Sequence, residues 1–141
     1  MKKVTAFLMF DNNAEEAMKF YVSIFKNSKI IDQGTFEIDG QKFLVFNGGP
    51  YFKFSEGISL FINCDTQQEV DQLWEKLSAG GEKSQCGWLK DKFGVSWQVV
   101  PSVLRKMLND TDPLKSKRVM NAMLLMNKII IKDLEKAYNQ K

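Results

Sequence analysis

The chain contains a faint repeat of its own sequence, and this repeat constrains the fold more than any other feature. The segment 5–11 (TAFLMFD) resembles the segment 59–65 (SLFINCD), and each leads into a helical pattern in which Glu16–Ala17 corresponds to Glu69–Val70. A repeat with a period of about 50 residues predicts two copies of one supersecondary unit that pack together to bury a shared face. Two such halves enclose a cleft, where a small ligand would bind.

The length and composition indicate a single globular domain. With 141 residues, of which 44% are hydrophobic and 12% aromatic, the chain is long enough for a full-sized core. No stretch approaches the ~20 apolar residues that span a membrane, and the N-terminus lacks a signal-peptide apolar region, so we expect a cytoplasmic protein with no membrane partner. A net charge of +3, from 20 basic and 17 acidic residues without a basic run, argues against a nucleic-acid partner.

The cysteines and the missing histidines limit the possible chemistry. Cys64 and Cys86 fit a reduced compartment and lack the CxxC spacing of a structural zinc site. The sequence contains no histidine, which removes Ser–His and Cys–His dyads and the HExxH zinc motif. Cys86 is either a nucleophile activated by Lys90 or Lys92, or a small buried side chain, and the second interpretation is favoured.

The hydrophobic pattern of the first half predicts the order β-α-β-β-β. A strand covers 4–10, and a helix begins after Asn12–Asn13. Either asparagine can cap this helix, and Glu16 is the capping-box partner of Asn13. Asp39–Gly40 marks a tight turn between the last two strands. These three later strands are predicted near 28–31, 33–38 and 41–47.

The second half predicts the same order of elements. A strand covers 58–64, and Thr66 and Glu69 then form a capping box for a helix that runs to about Ser78. The turn at 91–94 requires Gly94 because its φ is expected to be positive. The strands on either side of this turn are predicted near 84–92 and 95–100.

The last forty or so residues predict helices only. One helix starts at Asp112–Pro113, an N-cap followed by proline at the first helical position. The other two helices are predicted near 102–109 and 131–139. Module one therefore covers about 1–50, module two about 57–101 and the helical extension about 102–141. Core or dimer packing explains a helical methionine stripe better than a cofactor site does: Met107, Met120, Met123 and Met126.

The stretch 86–101 (CGWLKDKFGVSWQVVP) carries the resemblance to a known family. It resembles the vicinal oxygen chelate superfamily, which includes glyoxalase and bleomycin-resistance proteins, and within it the branch of 3-demethylubiquinone-9 3-methyltransferase-type domains. The resemblance implies an α+β fold of two βαβββ modules that form a cup of curved mixed sheet, and it extends over nearly all of the chain, the helical tail included. Further segments support it: Ala14–Ala17, Phe20–Tyr21, Gly48–Pro50, Trp74–Leu77 and Gly80–Gly81.

The same resemblance implies that the catalytic metal of the superfamily is missing. Its metal enzymes take ligands from the first and last strands of each module, and Gln98 falls where they often have a glutamate. Thr5 and either Ser59 or Ile58 fall where they have histidine or glutamine, and Phe43–Asn47 offers no carboxylate. Since a catalytic metal needs about three nitrogen, sulfur or carboxylate ligands, we expect no metal and no cofactor. A GxGxxG motif for S-adenosylmethionine is also absent, so the methyltransferase name is not supported.

Strand alternation predicts which residues line the cup. One face of the strand 58–64 carries Ser59, Phe61 and Asn63, whereas the other is purely apolar and must pack on a helix. The same alternation assigns Thr5, Phe7 and Met9 of the first strand to the mixed face. It also assigns Gln98 of the closing strand to that face. The stretch 86–101 adds Trp88 and Lys90, which would hold a planar anion by stacking and charge. The predicted ligand-binding set is Thr5, Phe7, Met9, Ser59, Phe61, Asn63, Trp88, Lys90 and Gln98.

Each of these residues also has a structural interpretation. Asn63 and Gln98 are equally well explained as hydrogen-bonding partners within the sheet, and Phe7, Phe61 and Met9 are favoured as core. Trp88 and Lys90 are somewhat better explained as a strand aromatic and a solvated lysine. Three functions therefore stay open. They are a metal-independent small-molecule-binding protein, an enzyme of the same fold that uses Gln98 and Asn63 with a bound metal or with none, and a homodimer with a collapsed cup and a structural or interaction role. The resemblance and the methionine-rich tail predict a homodimer in any case.

Overall fold

The computed structural model describes residues 2–140. These residues separate into two compact units, with the boundary between Phe54 and Ser55. Each unit contains one four-stranded mixed sheet and the helix that covers it. Within the described part of the chain, no helix is long and apolar enough to cross a membrane.

The first unit has the predicted order β-α-β-β-β. Its sheet has the strand order β1-β4-β3-β2, in which β1 and β4 are parallel and the other neighbours are antiparallel. The strand predicted from residue 4 begins two residues later, and Val4 is exposed. The elements are β1 Ala6–Phe10, α1 Ala14–Ile24, β2 Ser28–Asp32, β3 Thr35–Ile38 and β4 Gln41–Asn47.

Helix α1 covers one face of this sheet. The ring of Tyr21 on α1 stacks at 5.6 Å on Phe36 of β3, which in turn stacks at 5.0 Å on Phe43 of β4. All three rings are buried, together with Leu8 and Phe10 of β1. Burial of each such side chain contributes about 1.5–3 kcal/mol, so this face supplies most of the core of the first unit.

The second unit repeats the arrangement and adds three helices. Its sheet has the order β5-β8-β7-β6, which is the order of the first sheet, and β5 and β8 are again parallel. The α+β class, the two βαβββ modules and the C-terminal helices are therefore confirmed. The elements are β5 Leu60–Cys64, α2 Gln67–Ser78, β6 Glu82–Lys83, β7 Trp88–Lys90, β8 Ser96–Pro101, α3 Ser102–Leu108, α4 Pro113–Leu124 and α5 Ile131–Tyr138.

The two module helices are capped in different ways. Thr66 caps α2 as predicted, because Thr66 Oγ1 accepts from Glu69 N at 3.1 Å. The reciprocal bond is shifted by one residue, since Glu69 Oε1 accepts from Asp65 N at 2.9 Å and not from Thr66 N. Asn13 is the N-cap residue of α1, but its side chain makes no capping hydrogen bond, so its half of the predicted capping box is absent. Instead, Ala14 N donates to Asn47 Oδ1 at 2.9 Å, so the end of β4 caps α1.

The single strand predicted over 84–92 is also wrong. Two short strands, β6 and β7, replace it, because Cys86 and Gly87 have φ values of +59° and +84° that interrupt an extended strand. Cys86 N donates at 2.8 Å to Met126 O and Gly87 N at 2.8 Å to Asn127 O. At this break, the backbone N–H groups of Cys86 and Gly87 therefore bind the segment between α4 and α5. Strand β5 likewise begins two residues after its predicted start at Ile58.

The turn between β7 and β8 is built around a buried carboxylate. Gly94 has a φ of +90°, as predicted. Asp91 Oδ1 accepts from Phe93 N at 2.9 Å and from Val95 N at 3.1 Å, and Oδ2 accepts from Trp97 Nε1 at 2.8 Å. Hydrogen bonds to an ionised group contribute about 1.5–3 kcal/mol each, so the role of Asp91 is structural.

The C-terminal helices belong to the core of the second unit. The side-chain amide of Gln67 on α2 donates to Ile129 O at 3.0 Å and accepts from Ile131 N at 2.7 Å. These two hydrogen bonds resemble those that the backbone of a neighbouring β-strand would make. Lys128 adds an ion pair with Asp71. The interpretation of the methionines as core is confirmed for three of them, since Met107, Met123 and Met126 pack in this cluster, whereas Met120 is 39% exposed. The buried members of the cluster are Val100, Leu104, Met107, Val119, Ile129 and Leu134.

Candidate functional site

Three of the predicted ligand-binding residues form one row across the second sheet. Gln98 of β8 lies in register with Phe61 of β5 on one side and with Trp88 of β7 on the other. Cross-strand partners point to the same face of a sheet. Leu89 and Trp97, one residue along, are buried on the opposite face, where α2 packs.

The other predicted residues of this unit share the face of that row. By strand alternation, the face includes Asn63 on β5, and Lys90 on β7 in register with Ser96 on β8. We call it the polar face of the second sheet. It is partly open to solvent, with Phe61 45% exposed and Asn63 exposed. Its predicted members are Ser59, Phe61, Asn63, Trp88, Lys90 and Gln98.

One hydrogen bond fixes the amide at the centre of the row. Gln98 Nε2 donates to Ser59 Oγ at 2.9 Å. The bond leaves Gln98 Oε1 without a protein donor among the described residues. The hydroxyl of Ser96, the next residue on the same face of β8, is buried and has no hydrogen-bond partner within residues 2–140. A buried hydroxyl without a partner costs about 1–3 kcal/mol, so this face carries polar groups that the protein itself does not satisfy.

The charge of Lys90 is already balanced. Lys90 Nζ forms an ion pair with Glu56 Oε1. The hydrogen bond between them raises the pKa of Lys90 and lowers the pKa of Glu56. A planar anion held by Trp88 and Lys90, as the sequence suggests, would have to compete with Glu56 for this ammonium group. Both side chains are largely exposed, so the ion pair itself adds little stability.

A second cation, absent from the sequence-based set, lies beside Phe61. The guanidinium of Arg105 on α3 is 5.9 Å from the centroid of the Phe61 ring. An open depression of about 580 Å³ lies next to this pair. The sequence did carry a signal, because four lining residues follow one face of a helix at positions i, i+3, i+4 and i+7. The depression is lined by Phe61, Asn63, Ser102, Arg105, Lys106 and Asn109.

The predicted residues of the first unit lie in a different environment. Phe7 and Met9 are on the face of the first sheet that α1 does not cover, and Met9 is in register with Phe46. Phe7 is 54% and Phe46 61% exposed. Thr5, just before β1, lines a shallow hollow of about 300 Å³ with Lys2, Gly40, Gln41 and Lys42. We call the surface of Phe7, Met9, Leu44 and Phe46 the apolar face of the first sheet.

The residues present do not fit the metal of the superfamily. Within residues 2–140, no three His, Cys, Asp or Glu side chains are grouped so that they could share an ion. The amide nitrogen of Gln98 is bonded to Ser59, so two of the expected ligand positions satisfy each other.

Cys64 is buried and Cys86 is partly buried. Burial, and then the neighbouring Glu69, raise the pKa of Cys64 to about 12, which keeps it protonated. The thiol of Cys86 donates to Met123 O at 3.6 Å, a contact that agrees with a packed side chain.

The fold defines the class of this protein, which is built from paired βαβββ modules. Comparison with known proteins identifies the family within this class. A family model of 3-demethylubiquinone-9 3-methyltransferase matches residues 2–35 and 31–100. The chain belongs to this family of domains. Residues 101–141 lie outside the match, although the sequence of the tail also suggested the resemblance. No protein with a curated description matches the chain.

Solved structures agree with this family. A PhnB protein from Bacillus cereus, provisionally named as a 3-demethylubiquinone-9 3-methyltransferase, is 34% identical, with a TM-score of 0.66 over 71% of this chain and 99% of that one. Protein PA1353 from Pseudomonas aeruginosa is 18% identical, with a TM-score of 0.59 over 72% of this chain and 98% of that one. The second likeness supports the fold alone.

Proposed function

We propose that this protein binds a small molecule with an aromatic part on the polar face of the second sheet, without a catalytic metal. The observation that carries the proposal is the row of Phe61, Gln98 and Trp88, which sets an amide between two aromatic side chains on an accessible face. Ligand sites commonly combine apolar and aromatic walls with a few fixed polar groups. The bond from Gln98 to Ser59 fixes the amide in this way.

The residues of this face favour binding over catalysis. Gln98, Asn63 and Ser59 supply hydrogen bonds but do not titrate near neutral pH, so none of them is a general acid or base. Lys90 is paired with Glu56. A protein of this design would retain or sense a ligand rather than convert it, which is why the binding function ranks above an enzyme of the same fold.

Self-association is a second proposal, and the apolar face of the first sheet favours it. Phe7 on the edge strand β1 and Phe46 on its neighbour β4 expose aromatic surface on the face of the sheet that α1 does not cover. Contiguous exposed apolar patches of this kind mark interaction surfaces. We propose that a second copy of the chain covers this face, in the homodimer that the family resemblance also suggests.

An uncharged aromatic probe tests the binding proposal. Titration of 2-naphthol into ¹⁵N-labelled protein is expected to shift the side-chain amide of Gln98 and the indole of Trp88. Phe61→Ala is expected to weaken binding about tenfold, because it removes one aromatic wall. Leu125→Ala, at an exposed residue of the tail, is the matched control and should leave binding unchanged. If saturating probe shifts none of the resonances of the polar face, the proposal is wrong.

A further inference from the structure

We propose that Arg105 binds an anionic group of the ligand, so that the preferred ligands are aromatic or apolar molecules with a carboxylate or a phosphate. This inference rests on the proposed function, because it places the charged end of the ligand next to the row that would hold its aromatic part. Phe61 belongs to both surfaces, since it is in register with Gln98 and lines the depression beside Arg105.

The charges around the depression favour an anion. Its lining contains two cations, Arg105 and Lys106, and no carboxylate. Neither cation forms an ion pair within residues 2–140. In contrast, Lys90 on the same unit is paired with Glu56. The available positive charge of this surface therefore lies at α3 and not at β7, where the sequence suggested it.

The position of the guanidinium on the ring suits recognition of a carboxylate or phosphate. A guanidinium that lies over an aromatic face still presents the N–H groups at its edge, which can donate two parallel hydrogen bonds to one anion. The contact with Phe61 at 5.9 Å also restricts the side chain, which lowers the entropy lost on binding. The amides of Asn63 and Asn109 line the same depression and add neutral donors.

The size of the depression and the position of its cations support the proposed ligand class. About 580 Å³ lies within the range of small-molecule sites and is sufficient for a bicyclic aromatic acid. Helix α3, which supplies Arg105, begins at Ser102, beyond the residues that match the family. The two cations of the proposed site therefore come from the C-terminal extension, whereas Phe61 and Asn63 come from the family domain.

Three probes with the same ring system separate the contribution of the aromatic ring to binding from that of the anionic group. They are 2-naphthol, 2-naphthoate and 2-naphthyl phosphate, titrated into wild type, Arg105→Met, Arg105→Lys and Lys117→Met. Methionine keeps the apolar length of the side chain without its charge, and Lys117 is an exposed lysine of α4 that serves as the charge-matched control.

Wild type is expected to bind at least one anionic probe about tenfold more tightly than 2-naphthol, with the tighter of the two identifying the anion. Arg105→Met should remove this difference in affinity and change the affinity for 2-naphthol by less than about twofold. Arg105→Lys should retain part of the difference, and Lys117→Met should retain all of it. Salt should weaken only the anionic probes. If 2-naphthol binds as proposed and Arg105→Met changes no affinity, the anion site is wrong and the binding face stands. If no probe binds, both proposals are wrong.

Discussion

The two sheets share one strand order but differ in the face that the module helix does not cover. In the first sheet this face carries Phe7, Met9 and Phe46, with the two phenylalanines more than half exposed. In the second sheet the equivalent face carries an amide, hydroxyls and Lys90 around Phe61. Only the second unit also has three additional helices.

The comparison shows where duplicated units are free to diverge. The covered faces are alike because both must pack on a helix: Leu8 and Phe10 in the first sheet correspond to Ile62 and Cys64 in the second. The other faces have no such requirement. The apolar version suits contact with another protein surface, and the polar version suits contact with a small molecule.

The largest expected effect concerns the turns that close the two sheets. Asp91 is buried and accepts three hydrogen bonds, whereas Asp39, in the corresponding turn of the first sheet, accepts one exposed bond at 3.3 Å from Asn27. Asp91→Asn is therefore expected to lower the free energy of unfolding by about 2–3 kcal/mol, and Asp39→Asn by less than about 0.5 kcal/mol. Urea denaturation measures both. Equal losses would show that the two turns contribute alike, against this interpretation.

A smaller effect is expected for self-association through the apolar face. Phe46→Ser should raise the dimer dissociation constant at least tenfold, about 1.4 kcal/mol, because it removes aromatic surface from the proposed interface. Leu125→Ser, which changes a 91% exposed residue of the tail, is the control. Light scattering at micromolar concentration measures both. A monomeric wild type contradicts the dimer, and dissociation by Leu125→Ser alone would place the interface on the tail.

The attachment of the tail in the second unit predicts a modest pH dependence of stability. Tyr138 Oη donates to Asp110 Oδ2 at 2.5 Å, and this bond, then that from Asp112 N, lowers the pKa of Asp110. Since the folded value is below the ordinary one of about 4, the contribution is complete above that pH and is lost as the pH falls through the folded value. The melting temperature of Tyr138→Phe should therefore fall less than that of wild type between pH 5 and pH 2. If the melting temperatures of both proteins fall equally over this pH range, the bond between Tyr138 and Asp110 does not cause the pH dependence.

Local patterns were sufficient for the fold but not for all of the site. Alternation along β5 and β8 predicted which face holds Phe61 and Gln98, and the Thr66 box fixed the start of α2, because these signals lie within a few residues of the sequence. The cap that Asn47 gives to α1 spans 33 residues. The approach of Arg105 to Phe61 likewise depends on how α3 packs after β8. Neither has a local pattern, so only the three-dimensional structure reveals it.

The smallest expected effect is that of metal removal, for which both units predict no change. The resemblance implies opening ligand positions at or near Thr5 in the first copy and Ser59 or Ile58 in the second; none of these is a histidine or a carboxylate, and Ser59 is bonded to Gln98. A metal that binds the native state raises its stability by mass action. Treatment with a chelator should therefore shift the melting temperature by less than about 1 °C. A stoichiometric divalent ion in the purified protein, lost in Gln98→Ala, would instead make the polar face a metal site and overturn the metal-free proposal.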